Sequence, residues 1–114
     1  MSHEIRVGIL GFGVVGCGAY QVLESNADQI QRVVGAPVRV IGVADIDWAR
    51  ERSVQVPAGL RSTDGLALAT SPEVDIVVET IGGLKPARDF VMAAVEAGKS
   101  VVTSNKELMA KHGT

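Results

Sequence analysis

Val7-Gly8-Ile9-Leu10-Gly11-Phe12-Gly13-Val14-Val15-Gly16 is the stretch that decides how the rest of the chain is read. Ile5 to Leu10 is an apolar run of the length of a buried strand. The chain then turns through Gly11, Phe12 and Gly13 and enters a long segment with helical spacing. Strand, glycine turn and helix in that order match a fingerprint for binding a dinucleotide phosphate, with glycines at positions 11, 13 and 16. Gly11 permits the sharp turn, Gly13 lets a pyrophosphate approach the backbone, and Gly16 lets the helix lie close to the strand. The anion would sit at the helix N-terminus, where N–H groups and the positive end of the dipole point at it. Chance matches to three spaced glycines are common in a chain holding 13 of them, so the surrounding sequence has to support the reading.

Working outward, 114 residues make one domain, large enough for a core but short for a complete two-substrate enzyme. Abundant Ala, Val and Gly with few aromatics suit parallel strands covered by helices. A formal charge of −2 offers no electrostatic footprint for nucleic acid or an anionic membrane. The single cysteine, Cys17, excludes an internal disulfide and a cysteine-based zinc cluster, and no metal site is expected; Cys17 reads as small packing on the first helix. Each apolar run is broken too soon to span a membrane, and glycines interrupt the N-terminal one too early for a signal peptide. A cytoplasmic protein is expected.

Beyond the glycine turn, Val15, Ala19, Val22, Leu23, Ile30, Val33 and Val34 recur at helical spacing and predict a buried stripe. Ser25-Asn26-Ala27-Asp28 predicts a break and restart within the helix, and Gly35 and Pro37 end it. Val38 to Ala44 predicts a second parallel strand. Asp45-Ile46-Asp47 follows it, where a dinucleotide fold places an acid against the adenosine ribose; capping of the next turn is the competing role. Trp48 to Leu60 reads as a short helix or irregular surface segment, in which Arg50 or Arg52 would meet either a 2′-phosphate or only solvent. Asp64 to Thr70 predicts a short helix capped by Thr63 or Asp64, and Val74 to Glu79 a third strand. Thr80-Ile81-Gly82-Gly83 closes that strand with a second place where backbone can approach a ligand. A helix follows, with Pro86 in its first turn, a stripe of Ala87, Phe90, Val91, Ala94 and Val95, and a stop at Gly98. Ser100 to Thr103 is the last strand and a possible unpaired edge. The alternation predicts a right-handed, parallel, doubly wound α/β sheet of the Rossmann type in a single domain.

Ser104-Asn105-Lys106-Glu107 opens a final helix running to His112, with Ser104 as N-cap and Glu107 closing a capping box. Lys106 is the ill-placed residue, because a cation in the first turn opposes the helix dipole at a cost of about 0.3–1 kcal/mol. Such a break in an otherwise consistent terminus has two explanations, a surface lysine or one that reaches a substrate at the sheet's carboxyl edge.

Four stretches together resemble one family. Ile9 to Gly16, Val43-Ala44-Asp45, Val77 to Gly83, and Ala97-Gly98-Lys99-Ser100-Val101-Val102-Thr103-Ser104-Asn105-Lys106 are similar to homoserine dehydrogenases, and Glu107 to Gly113 continues the likeness. The likeness implies an NAD(P)-binding Rossmann domain, at residues 1–114, of a longer enzyme that reduces aspartate semialdehyde to homoserine on the route to threonine and methionine. It implies NAD or NADP as cofactor, with Phe12, Gly13, Val14 and Val15 along the pyrophosphate and Thr80, Ile81 and Gly82 bordering the ribose and nicotinamide. Thr103, Ser104 and Asn105 would meet the nicotinamide, and Lys106 matches a lysine treated as catalytic. Many NADP-using members carry an arginine before the acid after the second strand; this chain has Ala44, which leans toward NAD or toward weak discrimination, since Arg50 and Arg52 stand nearby in sequence. The family's substrate and dimerisation domain has no counterpart in these residues, so the small-molecule substrate is expected only with that domain, and the whole enzyme is expected to be a homo-oligomer. A stand-alone dinucleotide sensor and another dehydrogenase of the aspartate pathway remain alternatives on these residues.

Overall fold

A computed structural model describes residues 4–46, 48, 49, 54–81 and 85–103. In chain order the elements are β1 (Ile5–Leu10), α1 (Val14–Ser25), α2 (Ala27–Val34), β2 (Val38–Ala44), a 3-10 turn (Ala58–Leu60), β3 (Arg61–Ser62), α3 (Gly65–Thr70), β4 (Ile76–Glu79), α4 (Lys85–Glu96) and β5 (Ser100–Thr103). All strand pairs are parallel, and the order across the sheet is β3-β2-β1-β4-β5. The order runs outward from β1 in both directions, which is the doubly wound arrangement expected. It puts the carboxyl ends of β1 and β4 side by side where the winding reverses, and ligands bind at such a switch point.

Strand β1 is buried on both faces because it is central. Side chains alternate across it: Val7 and Ile9 join Phe12, Tyr20, Val40 and Val43 in one core. Leu10 joins Ala44, Ala69, Val77 and Ala94 in the other. Helix α1 covers the first core through Cys17 and Tyr20, and α3 and α4 cover the second through Ala69 and Ala94. Each buried Val, Leu or Ile contributes about 1.5–3 kcal/mol relative to exposure. At the opposite end of the sheet, Asp75 accepts from the Arg6 backbone N–H at 2.8 Å, and Arg6 O accepts from Asp75 N–H at 2.8 Å, fixing the register of β1 and β4.

Four readings from sequence need correction. The stripe expected along the first helix is buried only in part: Leu23 packs on the first core, but Val15, Val22, Val33 and Val34 are exposed, while Gly16, Cys17 and Tyr20 face the core. Close packing of α1 on β1 selects that narrower face. Helix α4 buries Ala94 but leaves Val95 exposed; the Ala87 side chain lies outside the described part. The third strand starts at Ile76 rather than Val74, since Val74 N–H bonds back to Ser71 O in a turn. The segment from Trp48 to Leu60 is irregular with a 3-10 turn, but its described residues are not all surface; Arg50 and Arg52 lie outside the described residues. Val56 is buried, Trp48 packs on the first core, and β3 adds a strand to the sheet.

The helix limits follow local chemistry. Asn26 breaks the first helix as expected, but its side chain donates to Val22 O and so serves the end of α1, with no side-chain cap for α2. Gly35 and Gly98 end α2 and α4. Asp64, not Thr63, caps α3 by accepting from Ala67 N–H at 3.0 Å. Strand β5 lies at the margin of the described sheet, paired only with β4 among the described strands. The final helix expected from Ser104 to His112 lies outside the described residues.

Candidate functional site

The glycine turn leaves β1 at the switch point and is held in place from both sides. Gly11 has φ +89, a backbone conformation that favours glycine, and its N–H bonds Ala44 O at the end of β2. The Phe12 N–H donates to Asp45 Oδ2 at 2.7 Å. From the other flank, the Thr80 hydroxyl at the end of β4 lies 2.8 Å from Gly11 O and 3.0 Å from Leu10 O. Asp45 and Thr80 therefore fasten the turn to both neighbouring strands. The sequence offers Asp45 as a ribose ligand or a cap; in the structure its carboxylate engages the turn itself.

Gly16 shows why the helix can start where it does. A Cβ built there would lie 2.2 Å from Gly11 O and 3.0 Å from Thr80 Oγ1, which no side chain tolerates. Gly13 is different: a Cβ there meets nothing within 4 Å, so the space beside this backbone is open. Gly13 is the N-cap of α1, without a side-chain cap and without an acid in the first turn. The N–H groups of an uncapped first turn and the positive helix end suit an anion. These residues fit a pyrophosphate.

The Phe12 side chain turns the other way. It is fully buried, edge-on to Tyr20 at 5.8 Å and tilted against Trp48 at 5.7 Å. Trp48 donates its indole N–H to Ser62 O at 2.8 Å, and the Arg61 guanidinium lies over its ring. Only the Phe12 backbone can lie along the phosphates; the ring anchors the turn into the first core. Burial first, and the negative charge of Glu24 second, push the Tyr20 phenol up from its ordinary range.

A pocket of about 520 Å³ opens at this edge, within the size range of small-molecule sites. Gly11, Phe12, Gly13, Asp45, Thr80 and Ile81, all expected from the sequence, contribute to its wall. Val14, Val15 and Gly16 form the first turn of α1 beside it. Ile46, Thr63, Gly65 and Phe90 also line it and were not expected. Thr63 and Gly65 reach this edge only because β3 brings the chain back to the sheet, and two polar residues such as Arg61 and Ser62 carry no strand signal. Thr103 is not in the wall; its hydroxyl donates to the buried Glu79 carboxylate at the end of β4. Gly82, Ser104, Asn105 and Lys106 lie outside the described residues. Among the described residues no group of His, Cys, Asp or Glu could hold a metal, and no helix is long and apolar enough to cross a membrane.

The doubly wound sheet, the glycine turn at its switch point and the open helix N-terminus define a dinucleotide-binding α/β domain. Comparison with known proteins carries the assignment further. The family described as homoserine dehydrogenase, NAD binding domain, matches residues 11–114, and the chain belongs to that family. The homoserine dehydrogenase of Methylobacillus glycogenes is 44% identical over 106 residues, covering 93% of this chain and 26% of that protein. That of Bacillus subtilis is 36% identical over 110 residues, covering 96% and 25%. The solved homoserine dehydrogenase of Thiobacillus denitrificans superposes with a TM-score of 0.88 at 44% identity, over 98% of this chain and 26% of that one. The chain thus spans about a quarter of the length of the curated relatives it matches.

Proposed function

We propose that residues 1–114 form the cofactor-binding domain of a longer enzyme that reduces L-aspartate 4-semialdehyde to L-homoserine. The observation that carries this reading is the turn at Gly11 to Gly16, fastened by Asp45 and Thr80 and leaving an open, uncapped helix end at Gly13. Family membership and the share of the relatives covered support the rest. The bound nicotinamide cofactor supplies the hydride. This chain's own part is to hold the pyrophosphate on the Phe12 to Val15 backbone and to border the ribose and nicotinamide with Thr80, Ile81 and Gly82. Thr103, Ser104 and Asn105 complete that end.

Lys106 then acts at the substrate carbonyl, where an ammonium stabilises charge growing on oxygen and supplies a proton to it. Asp45 at the pocket wall, preceded by Ala44, favours NAD, because a 2′-phosphate brought beside a carboxylate is repelled. The enzyme is a cytoplasmic homo-oligomer in this reading, has no nucleic-acid or membrane partner, and needs the parts beyond this domain for substrate binding and turnover. Steady-state kinetics of the full-length protein test it. Lys106→Ala should lower kcat at least tenfold with NADH affinity nearly intact; near-normal turnover would remove Lys106 from the chemistry.

A further inference from the structure

Glu79 is a fully buried charged residue at the carboxyl end of β4, a place where packing alone would select an apolar side chain. An ionisable group there is costly unless its oxygens are satisfied. Both are engaged: Oε2 accepts from Ile81 N–H at 2.6 Å, and Oε1 accepts from the Thr103 hydroxyl. Glu79 and Thr103 are register partners in the parallel β4–β5 ladder, so their side chains leave the sheet together. Ile81 lies in the pocket wall, and Thr103 immediately precedes Ser104-Asn105-Lys106. One carboxylate therefore ties the end of β5 to the segment that follows β4.

We infer that Glu79 is a positioning residue for hydride transfer, holding the Thr80–Ile81 wall and the end of β5 at Thr103 at a fixed separation. The inference rests on the dehydrogenase reading above. Glu79 does not touch the reactants in it; two divergent acceptor oxygens on one rigid strand end do the work. An aliphatic residue would fill the space and let the strand ends drift, and a displacement on the order of 1 Å at a reacting centre costs about a hundredfold in rate. The phosphate anchor at Gly11 to Gly16 keeps its bonds to Ala44 O and the Asp45 carboxylate on the opposite flank, which do not pass through Glu79. Loss of Glu79 therefore appears in kcat and leaves the dinucleotide KM in place.

The test is kinetic, in the full-length protein, with aspartate semialdehyde and NADH and thermal melts alongside. Glu79→Leu should lower kcat at least tenfold while the KM for NADH moves less than threefold. Glu79→Gln offers an amide oxygen to Ile81 N–H and an amide N–H to Thr103 Oγ1, and should restore kcat to within threefold of wild type. Thr103→Val keeps the carboxylate, removes only the hydroxyl, and should lower kcat at least fivefold; it decides the matter should Glu79→Leu not fold. Folded Glu79→Leu or Thr103→Val with wild-type kcat would overturn the inference, as would Glu79→Gln as impaired as Glu79→Leu. Failure of the wild-type protein to oxidise NADH with this aldehyde would instead overturn the dehydrogenase reading.

Discussion

The glycine turn after β1 and the paired ends of β4 and β5 lie on the same edge of the sheet and are built in opposite ways. The turn depends on side chains that are missing: Gly11 takes a positive φ, Gly16 has no room for a Cβ, and Gly13 leaves open space. The strand ends depend on a side chain that reaches two partners: the Glu79 carboxylate accepts from the Thr103 hydroxyl and from Ile81 N–H. A ligand's phosphates can approach bare backbone closely, while the reacting end of a cofactor needs walls of fixed separation. One edge therefore combines an open cradle with a tied frame.

The sharpest way to break this contrast is to place a side chain where the turn allows none. Gly16→Val puts carbon against Gly11 O, a backbone atom that cannot swing aside. The expected cost is about 3 kcal/mol or more, read as a fall in Tm of more than about 10 °C. A protein that melted normally would show that the first helix has freedom to move away from β1.

Removing the fastenings should cost less. Asp45→Ala leaves the Phe12 N–H without its carboxylate, a loss of about 1.5 kcal/mol for a partly buried charged bond. Thr80→Val keeps the shape and costs about 1 kcal/mol or less, because Leu10 O retains the Thr80 N–H. Denaturant melts of both would rank the two flanks. Equal stability in all three proteins would mean that the glycines hold the turn unaided.

The same contrast explains what could be read from the sequence. Gly11, Gly13 and Gly16 act within six consecutive residues, so spacing alone exposes them, and the apolar runs of β1, β2 and β5 show plainly between their turns. Glu79 and Thr103 lie 24 residues apart and meet only through sheet register. Nothing local marks Glu79 as the acceptor for both Ile81 N–H and Thr103. Strand β3 escaped because two residues have no period, and Thr63 and Gly65 were lost from the site with it. The inward face of α1 is only partly legible for a related reason: helical spacing records apolar residues, and the glycine contact at Gly16 chooses which face turns inward.

Gly13 gives the most direct test of the central claim, that a dinucleotide phosphate rests on the open end of α1. Its φ of −83 and extended backbone accept any residue, and the space around it is free. Aspartate is a favoured N-cap, so Gly13→Asp should fold as well as wild type or better. Its carboxylate would occupy and repel the phosphate position. In calorimetric titration with NAD, the wild-type chain should bind and Gly13→Asp should bind at least 100-fold more weakly at an unchanged or higher Tm. Equal affinity of the two folded proteins, or no binding of NAD or NADP by the wild type, would contradict the account.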